Sequence, residues 1–303
     1  MVQYRDPGLG TKFSKKVNRL INEDGSYNIV RIGGIKGLKD FYKFLVDINW
    51  VFFFLFLLGG YILLNSLFAL AYLLVGIDQL DGINSDLPDF LHAFFFSIQT
   101  FTTVGYGGLA PTGISANIIA SIEAFIGLLS FAVATGLLYG RFSKPSSKIR
   151  FSKNIIITPF ESEKALMFKM VNERNNLLLN SKVETLLILD AKSHKSEFNK
   201  QYFKLKLETD FINFFPLTWT VVHKIDEKSP LYQVSLFEMK QRNAEVVVLV
   251  ESFDETFGQT VFSRHSFGGD QWRENVKFSR NYSSNDEGQV ILMVDEIDNL
   301  EKA

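Results

Sequence analysis

Cysteine is absent from the 303 residues. That one absence removes a disulfide framework, a thiolate metal site and a cysteine nucleophile. Histidine is nearly as scarce: His92, His194, His223 and His265 are scattered, without metal-ligand or triad spacing. Neither an enzyme nor a resident cofactor is expected. The overall charge balance, 32 Lys+Arg against 33 Asp+Glu, argues neither for nor against nucleic acid. Its distribution says more. No Lys or Arg occurs from Phe44 to Gly140, and the acids there are Asp47, Asp78, Asp81, Asp86, Asp89 and Glu123 alone. So few charges could hardly keep the surface of a soluble domain wet. The opening stretch MVQYRDPGLGTKFSKK has no apolar h-region, so a cleaved signal peptide is not expected. Internal repeats and low-complexity segments are not evident.

The uncharged region holds two long apolar runs. Residues 50–75, WVFFFLFLLGGYILLNSLFALAYLLV, are long enough to cross a hydrocarbon core of roughly 30 Å, and Trp50 opens them as an interfacial aromatic. A second run, 113–141, is rich in Ala and Gly, which let helices approach closely in a bilayer. Two spans per chain imply that any bundle is oligomeric. Basic residues precede the first span, Lys36, Lys39 and Lys43 among them. Others follow the second: Arg141, Lys144, Lys148, Arg150 and Lys153. The positive-inside rule places both termini in the cytoplasm. Between residues 37 and 48, Leu38, Phe41, Tyr42, Leu45 and Ile48 fall at helical spacing, which predicts an amphipathic helix lying in the interface. From residue 151 the texture changes to short runs rich in β-branched and aromatic residues, including ETLLILDA, YQVSLFEM and AEVVVLVES, separated by turn signals. These predict a β-sandwich of about 150 residues. The expected plan is a cytoplasmic segment over 1–36, an interfacial helix over 37–48, a membrane domain over 49–141, a linker over 142–150 and a cytoplasmic sandwich over 151–303.

Between the spans, residues 88–101 form a helix too short to cross a bilayer, and FTTVGYGGLAP follows at 101–111. Irregular backbone at membrane depth is tolerated only where protein shields it or where it lines a water-filled cavity. The segment reads as a re-entrant loop. Its glycines allow alternating backbone conformations, so that carbonyls from consecutive residues face inward and replace an ion's hydration shell.

Thr103-Val104-Gly105-Tyr106-Gly107 resembles the filter of potassium-selective channels. DGSYNIVRIGG (24–34), LMFKMVNERNN (166–176), TWTVVHKIDEKSPLY (218–232) and DETFGQTVFSRHSF (254–267) are similar to segments of inward-rectifier potassium channels. The likeness covers nearly the whole chain. The lack of cysteine and the compact end of the second span look more like the prokaryotic (KirBac-type) branch. The resemblance implies a membrane α-helical pore domain joined to an all-β immunoglobulin-like sandwich, α+β overall, assembled as a homotetramer, with no nucleic-acid partner. It implies that K⁺, the permeant ion and the only metal, is held by Thr103, Val104, Gly105 and Tyr106. It also implies an inner-helix pore lining of Gly127, Phe131 and Tyr139, with Tyr139 at a gate and Gly127 at a proposed hinge.

Strong rectifiers of this family carry three acids that hold polyamines. Here two positions are neutral, Phe131 and Asn180, and Glu251 is retained; weak rectification is expected. Gln99 and Leu109 stand where relatives form a filter-bracing ion pair, so that pair is absent. Glu123 is an acid within the second span; a hydrogen bond behind the filter or pore helix is the favoured role. Lys36, Lys39, Arg141, Lys144, Lys148 and Arg150 make a basic cluster suited to anionic lipid. The gating ligand is left open, as is a second class of function: a membrane-anchored binding or sensor protein whose pore does not conduct.

Overall fold

The computed structural model describes residues 6–17, 19–33, 38–83, 87–144, 147–191 and 198–303. They divide into two compact units, Gly33–Lys144 and the remainder of the chain on either side of it.

The first unit is helical. Helix α1 spans Leu38–Asp47 and α2 spans Trp50–Val75. Asn49 caps α2, its side chain accepting from the Val51 amide at 2.9 Å, the bond an N-cap Asn is suited to make. With 26 residues α2 is about 39 Å long, at ~1.5 Å per residue. Helix α3, Asp89–Phe101, starts after Pro88 and has only 13 residues, or about 20 Å. Helix α4, Ile114–Phe142, is the longest at 29 residues. The three pack through small and aromatic side chains: Ala69 and Tyr72 from α2, Ala93 and Phe96 from α3, Ala116 from α4. The outward faces are another matter. In α2 and α4 only 11% of the most apolar window is buried. Burying apolar surface is worth roughly 25 cal/mol per Å², so faces this open require lipid or other chains around them.

The second unit is a sandwich of two sheets. In the first sheet the order is Lys12–Phe13, Phe198–Lys204, Leu178–Asp190, Glu245–Asp254 and Gln259–Gly268, with Phe211–Phe214 also paired to Leu178–Asp190. The second runs Trp219–Lys224, Glu163–Asn172, Ile155–Phe160 and Trp272–Glu274, with Ile149–Phe151 added to Glu163–Asn172. Alternation fills the space between them. Ile155, Ile157, Leu166, Phe168 and Met170 face Val183, Leu187, Val246, Val248 and Val250, with Trp272 and Phe267 also buried in this core.

The first sheet is also covered on its outer face. Leu20 and Ile21 lie on Ile188, Tyr202 and Val247. The buried Glu245 carboxylate accepts from the amides of Leu20 at 3.1 Å and Ile21 at 3.2 Å, and from Ser266 Oγ at 2.8 Å. The N-terminal segment thus belongs to the sandwich unit rather than standing alone.

Two further readings of the sequence need correction. YQVSLFEM suggests a strand, but Ser235 caps a short helix α5, Leu236–Gln241, by accepting from the Glu238 amide at 3.2 Å. Ser-x-x-Glu is a helix-start signal, and here it outweighs the β-branched neighbours. Ile149 and Arg150, read as linker, begin the strand Ile149–Phe151 of the second sheet.

Candidate ion-conduction site

The C-terminal turn of α3 sets the geometry. The Thr102 amide and its Oγ1 both donate to Ile98 O, at 3.1 and 2.6 Å. The chain then folds back on itself: Thr103 N donates to Thr100 O at 3.1 Å, and Val104 N and Gly105 N converge on Gln99 O at 2.9 and 3.4 Å. Beyond this anchor the backbone alternates. Thr103, Gly105 and Gly107 have φ of 57°, 54° and 80°, while Val104 and Tyr106 keep negative φ. Alternation of left- and right-handed residues turns successive carbonyls to the same side of the strand. Two of the three left-handed positions are glycine; Thr103 bears a Cβ there at a cost of roughly 1–2 kcal/mol. Among the described residues no donor of this chain takes the carbonyls of Thr103, Val104, Gly105 or Tyr106. The result is a row of unspent acceptors at the negative end of a helix dipole, an arrangement that favours a bare monovalent cation. The predicted filter residues are brought together.

The exit of the loop is fixed separately. Leu80–Asp81 pairs with Ala110–Pro111, and Thr112 N donates to Gln79 O at 2.8 Å. Gly82, at φ 87°, lies so close to Gly108 that an added Cβ would fall 1.8 Å from its carbonyl oxygen.

Behind α3 lies a buried polar network that joins all three helices. Tyr72 Oη donates to Glu123 Oε2 at 2.6 Å. Ser97 Oγ bonds Glu123 Oε1 and also lies 2.9 Å from Asn65 Oδ1. Asn65 Nδ2 donates to Tyr61 O at 2.8 Å. Glu123 therefore faces the back of the short helix. Leu109 joins the apolar cluster of α2, α3 and α4, and the Oε1 of Gln99 is buried without a partner among the described residues.

On α4, Phe131 is 76% exposed and Tyr139 74%, both on open surface of the isolated chain. Gly127 does not share that surface. It is buried, and an added Cβ would meet Phe101 O at 2.1 Å. The structure corrects its reading as pore lining: Gly127 is the point where α4 touches the last residue of α3.

The described basic residues of this set are divided between the two units. Lys36 lies outside the described residues, and Lys39 lies in α1. Arg141 closes onto the joint between α1 and α2: it donates to Leu45 O and, at 2.6 Å, to Ile48 O, with its guanidinium 4.4 Å from the Trp50 ring centroid. A cation at a helix C-terminus meets carbonyls that have no helical partner. Lys144 pairs with Asp47. Lys148 and Arg150 belong to the other unit, where Arg150 bridges Asp295 and Asp298, each at 3.0 Å. Arg141, Lys144 and Arg150 are thus committed to partners in the chain rather than free for lipid.

Glu251, exposed on Glu245–Asp254, stands opposite Lys182 in the neighbouring strand. Asn180 sits beside the bulge between Glu251 and Phe253, with φ 48°, a conformation Asn adopts at little cost. Sequence reasoning did not find Lys182 at this place; the strand register was needed to see it, and its Nζ pairs with Glu184 Oε1 at 2.9 Å.

A two-span helical pore domain with a carbonyl-lined re-entrant loop, followed by a sandwich, defines a potassium channel embedded in a membrane. Residues 50–144 match the sequence pattern described as "Ion channel", and residues 149–301 match "Inward rectifier potassium channel C-terminal domain". "Inward rectifier potassium channel Kirbac3.1" of Paramagnetospirillum magnetotacticum is 36% identical over 265 residues, 86% of this chain and 88% of that protein. "G protein-activated inward rectifier potassium channel 4" of Mus musculus is 27% identical over 285 residues, 86% of this chain and 67% of that one. The chain belongs to the inward rectifier potassium channel family, a family of ion channels and not of enzymes.

Proposed function

We propose that four copies of the chain surround one pore, with the Thr103–Gly107 carbonyls stacked along its axis as the K⁺ filter. The observation that carries this reading is the alternation of φ at Thr103, Gly105 and Gly107 with the carbonyls between them left unbonded. One chain offers only one wall of such a site. The open faces of α2 and α4 and the exposed Tyr106, at 81%, supply the surfaces along which further copies and lipid would pack. The inner helices narrow at Tyr139, which is the steric gate, with Phe131 lining the cavity above it. Both termini and the sandwich are cytoplasmic, and the sandwich transmits gating signals to the pore. Anionic lipid acts through the cytoplasmic ends of the spans, where Lys148 and the N-terminal basic residues are better candidates than the committed Arg141, Lys144 and Arg150. Polyamine rectification is weak, because Phe131 and Asn180 are neutral and Lys182 stands opposite Glu251.

The test is rubidium uptake by the purified protein in liposomes of varied anionic lipid content. Uptake that Ba²⁺ blocks, with Na⁺ excluded, is expected; equal Na⁺ and Rb⁺ fluxes refute the filter assignment. A protein that assembles but passes neither ion would instead be a membrane-anchored sensor.

A further inference from the structure

The network behind α3 contains more acceptors than a carboxylate would allow. Asn65 Nδ2 donates to the Tyr61 carbonyl, which can only accept, so Asn65 Oδ1 is fixed as the acceptor facing Ser97. The hydroxyl of Ser97 has one proton and two oxygen neighbours, Asn65 Oδ1 and Glu123 Oε1. Tyr72 satisfies the other carboxyl oxygen. Asn65, Ser97 and Glu123 are all at 0% exposure, and among the described residues no cation forms an ion pair with Glu123.

With Glu123 ionised, the Ser97 proton would serve one neighbour, and Ser97 Oγ would meet the other lone pair against lone pair. An unpaired charge would also lie buried between membrane helices, where it is costly. A proton on Glu123 Oε1 resolves both faults. Glu123 then donates to Ser97, Ser97 to Asn65, Asn65 to Tyr61 O, and Tyr72 to Glu123 Oε2. Each of these four bonds then has one donor and one acceptor, and the chain of bonds runs in one direction through α2, α3 and α4.

We infer that Glu123 is a proton-bearing, neutral carboxylic acid that positions the short helix, and through it the filter, from behind. The link to the filter is short. Ser97 lies two residues before Gln99, whose carbonyl receives the amides of Val104 and Gly105. Gln99 and Leu109 offer no ion pair of their own, so the bracing comes from the α4 side. Glu123 is a positioning residue; it touches no filter carbonyl among the described contacts. The inference rests on the reading of Thr103–Gly107 as the ion path.

The test uses the full-length protein in liposomes and compares wild type with Glu123→Gln and Glu123→Ala. An amide donates to Ser97 and accepts from Tyr72 as the neutral acid does, so Glu123→Gln should keep wild-type Rb⁺ over Na⁺ preference. Glu123→Ala leaves Ser97 and Tyr72 without their partner and should lower that preference by about tenfold, the scale of a buried polar group left unpaired. Infrared difference spectra between wild type and Glu123→Gln at neutral pH should show the carbonyl stretch of a protonated carboxylic acid, shifted in deuterated buffer. Absence of that band, or a Glu123→Gln variant as impaired as Glu123→Ala, overturns the inference. So does a Glu123→Ala variant that selects like the wild type. If Glu123→Ala does not assemble, the band and the Glu123→Gln flux decide alone. The infrared band needs no ion flux, so a wild type that passes Na⁺ as readily as Rb⁺ counts against the channel reading and not against the protonated acid.

Discussion

Replacing Gly127 by Ala separates a packing role from a hinge role. The new methyl carbon would stand 2.1 Å from Phe101 O, 3.0 Å from its carbonyl carbon and 3.1 Å from its Cα. Ordinary contact begins at 3.4 Å, so α4 and the end of α3 must separate by up to 1.3 Å, the difference between 3.4 and 2.1. The obstacle is main chain, which cannot rotate away as a side-chain tip would. Overpacking of this kind costs ~1–3 kcal/mol. Alanine returns ~1 kcal/mol by its better helix propensity. The net expectation per chain is a loss of up to ~2 kcal/mol, multiplied where four chains assemble. Phe101 precedes Thr103 by two residues, so the displacement reaches the filter anchor directly. The assays are the temperature at which the tetramer dissociates in detergent and the Rb⁺/Na⁺ uptake ratio in liposomes. Both should fall in Gly127→Ala. A variant with wild-type thermal stability and selectivity but fewer openings would refute the packing argument and restore the hinge.

Tyr139→Ala removes the bulkiest exposed side chain near the end of α4 and should raise basal Rb⁺ uptake; unchanged uptake would move the barrier to Phe131. Spermine on the cytoplasmic side should block the wild type only shallowly in planar bilayers. Phe131→Asp should deepen the block and its voltage dependence, and Lys182→Ala, which removes the cation paired with Glu184 and opposite Glu251, should deepen it less because the sandwich is better solvated. Stability should fall on acidification below about pH 6.5, the ordinary histidine value. Burial pushes His223 down, its Nδ1–H donating to Lys206 O at 2.7 Å and its Nε2 facing Ser229 Oγ at 2.9 Å. The unfolded chain then binds more protons than the folded one, so stability is full above the unfolded value and drains away as pH falls toward the folded one. His265, also pushed down by burial, adds to the slope, and denaturation midpoints of His223→Gln across pH 5–8 should show a shallower dependence.

The amount of this architecture legible in the sequence follows from how local each cause is. Spans, short helix and filter are written in contiguous residues: apolar length, an absence of Lys and Arg, and Gly at two of the three left-handed positions. The sandwich was legible as a class because alternation is local, yet its layout depends on pairings such as Glu245–Asp254 with Leu178–Asp190, far apart in the chain. Side-chain destinations were the least legible. Arg141 looks like a lipid anchor until Leu45 O and Ile48 O are seen beside it. Gly127 looks like a pore-lining residue until Phe101 is placed against it. Each case turns on a partner from another helix, and a single sequence holds no signal for that.

The same distinction explains how a filter can be held without an ion pair between positions 99 and 109. A strained segment such as Thr103–Gly107, the proposed filter, persists only where its surroundings over-determine it. Here the constraints come from three directions. The Gln99 carbonyl holds the start, receiving two filter amides. The Leu80–Asp81 ladder and the Gly82–Gly108 contact hold the exit. Tyr72, Asn65 and Glu123 hold the back through Ser97. The first two use backbone hydrogen bonds and close backbone contact, and the third, with Glu123 protonated as inferred above, adds no formal charge near the path of a cation. A fixed Arg beside the filter would repel a passing K⁺ unless its carboxylate partner were also kept in place. Leu109 and Gln99 avoid that requirement altogether, and the polar load moves to a buried site behind α3 where it meets no ion.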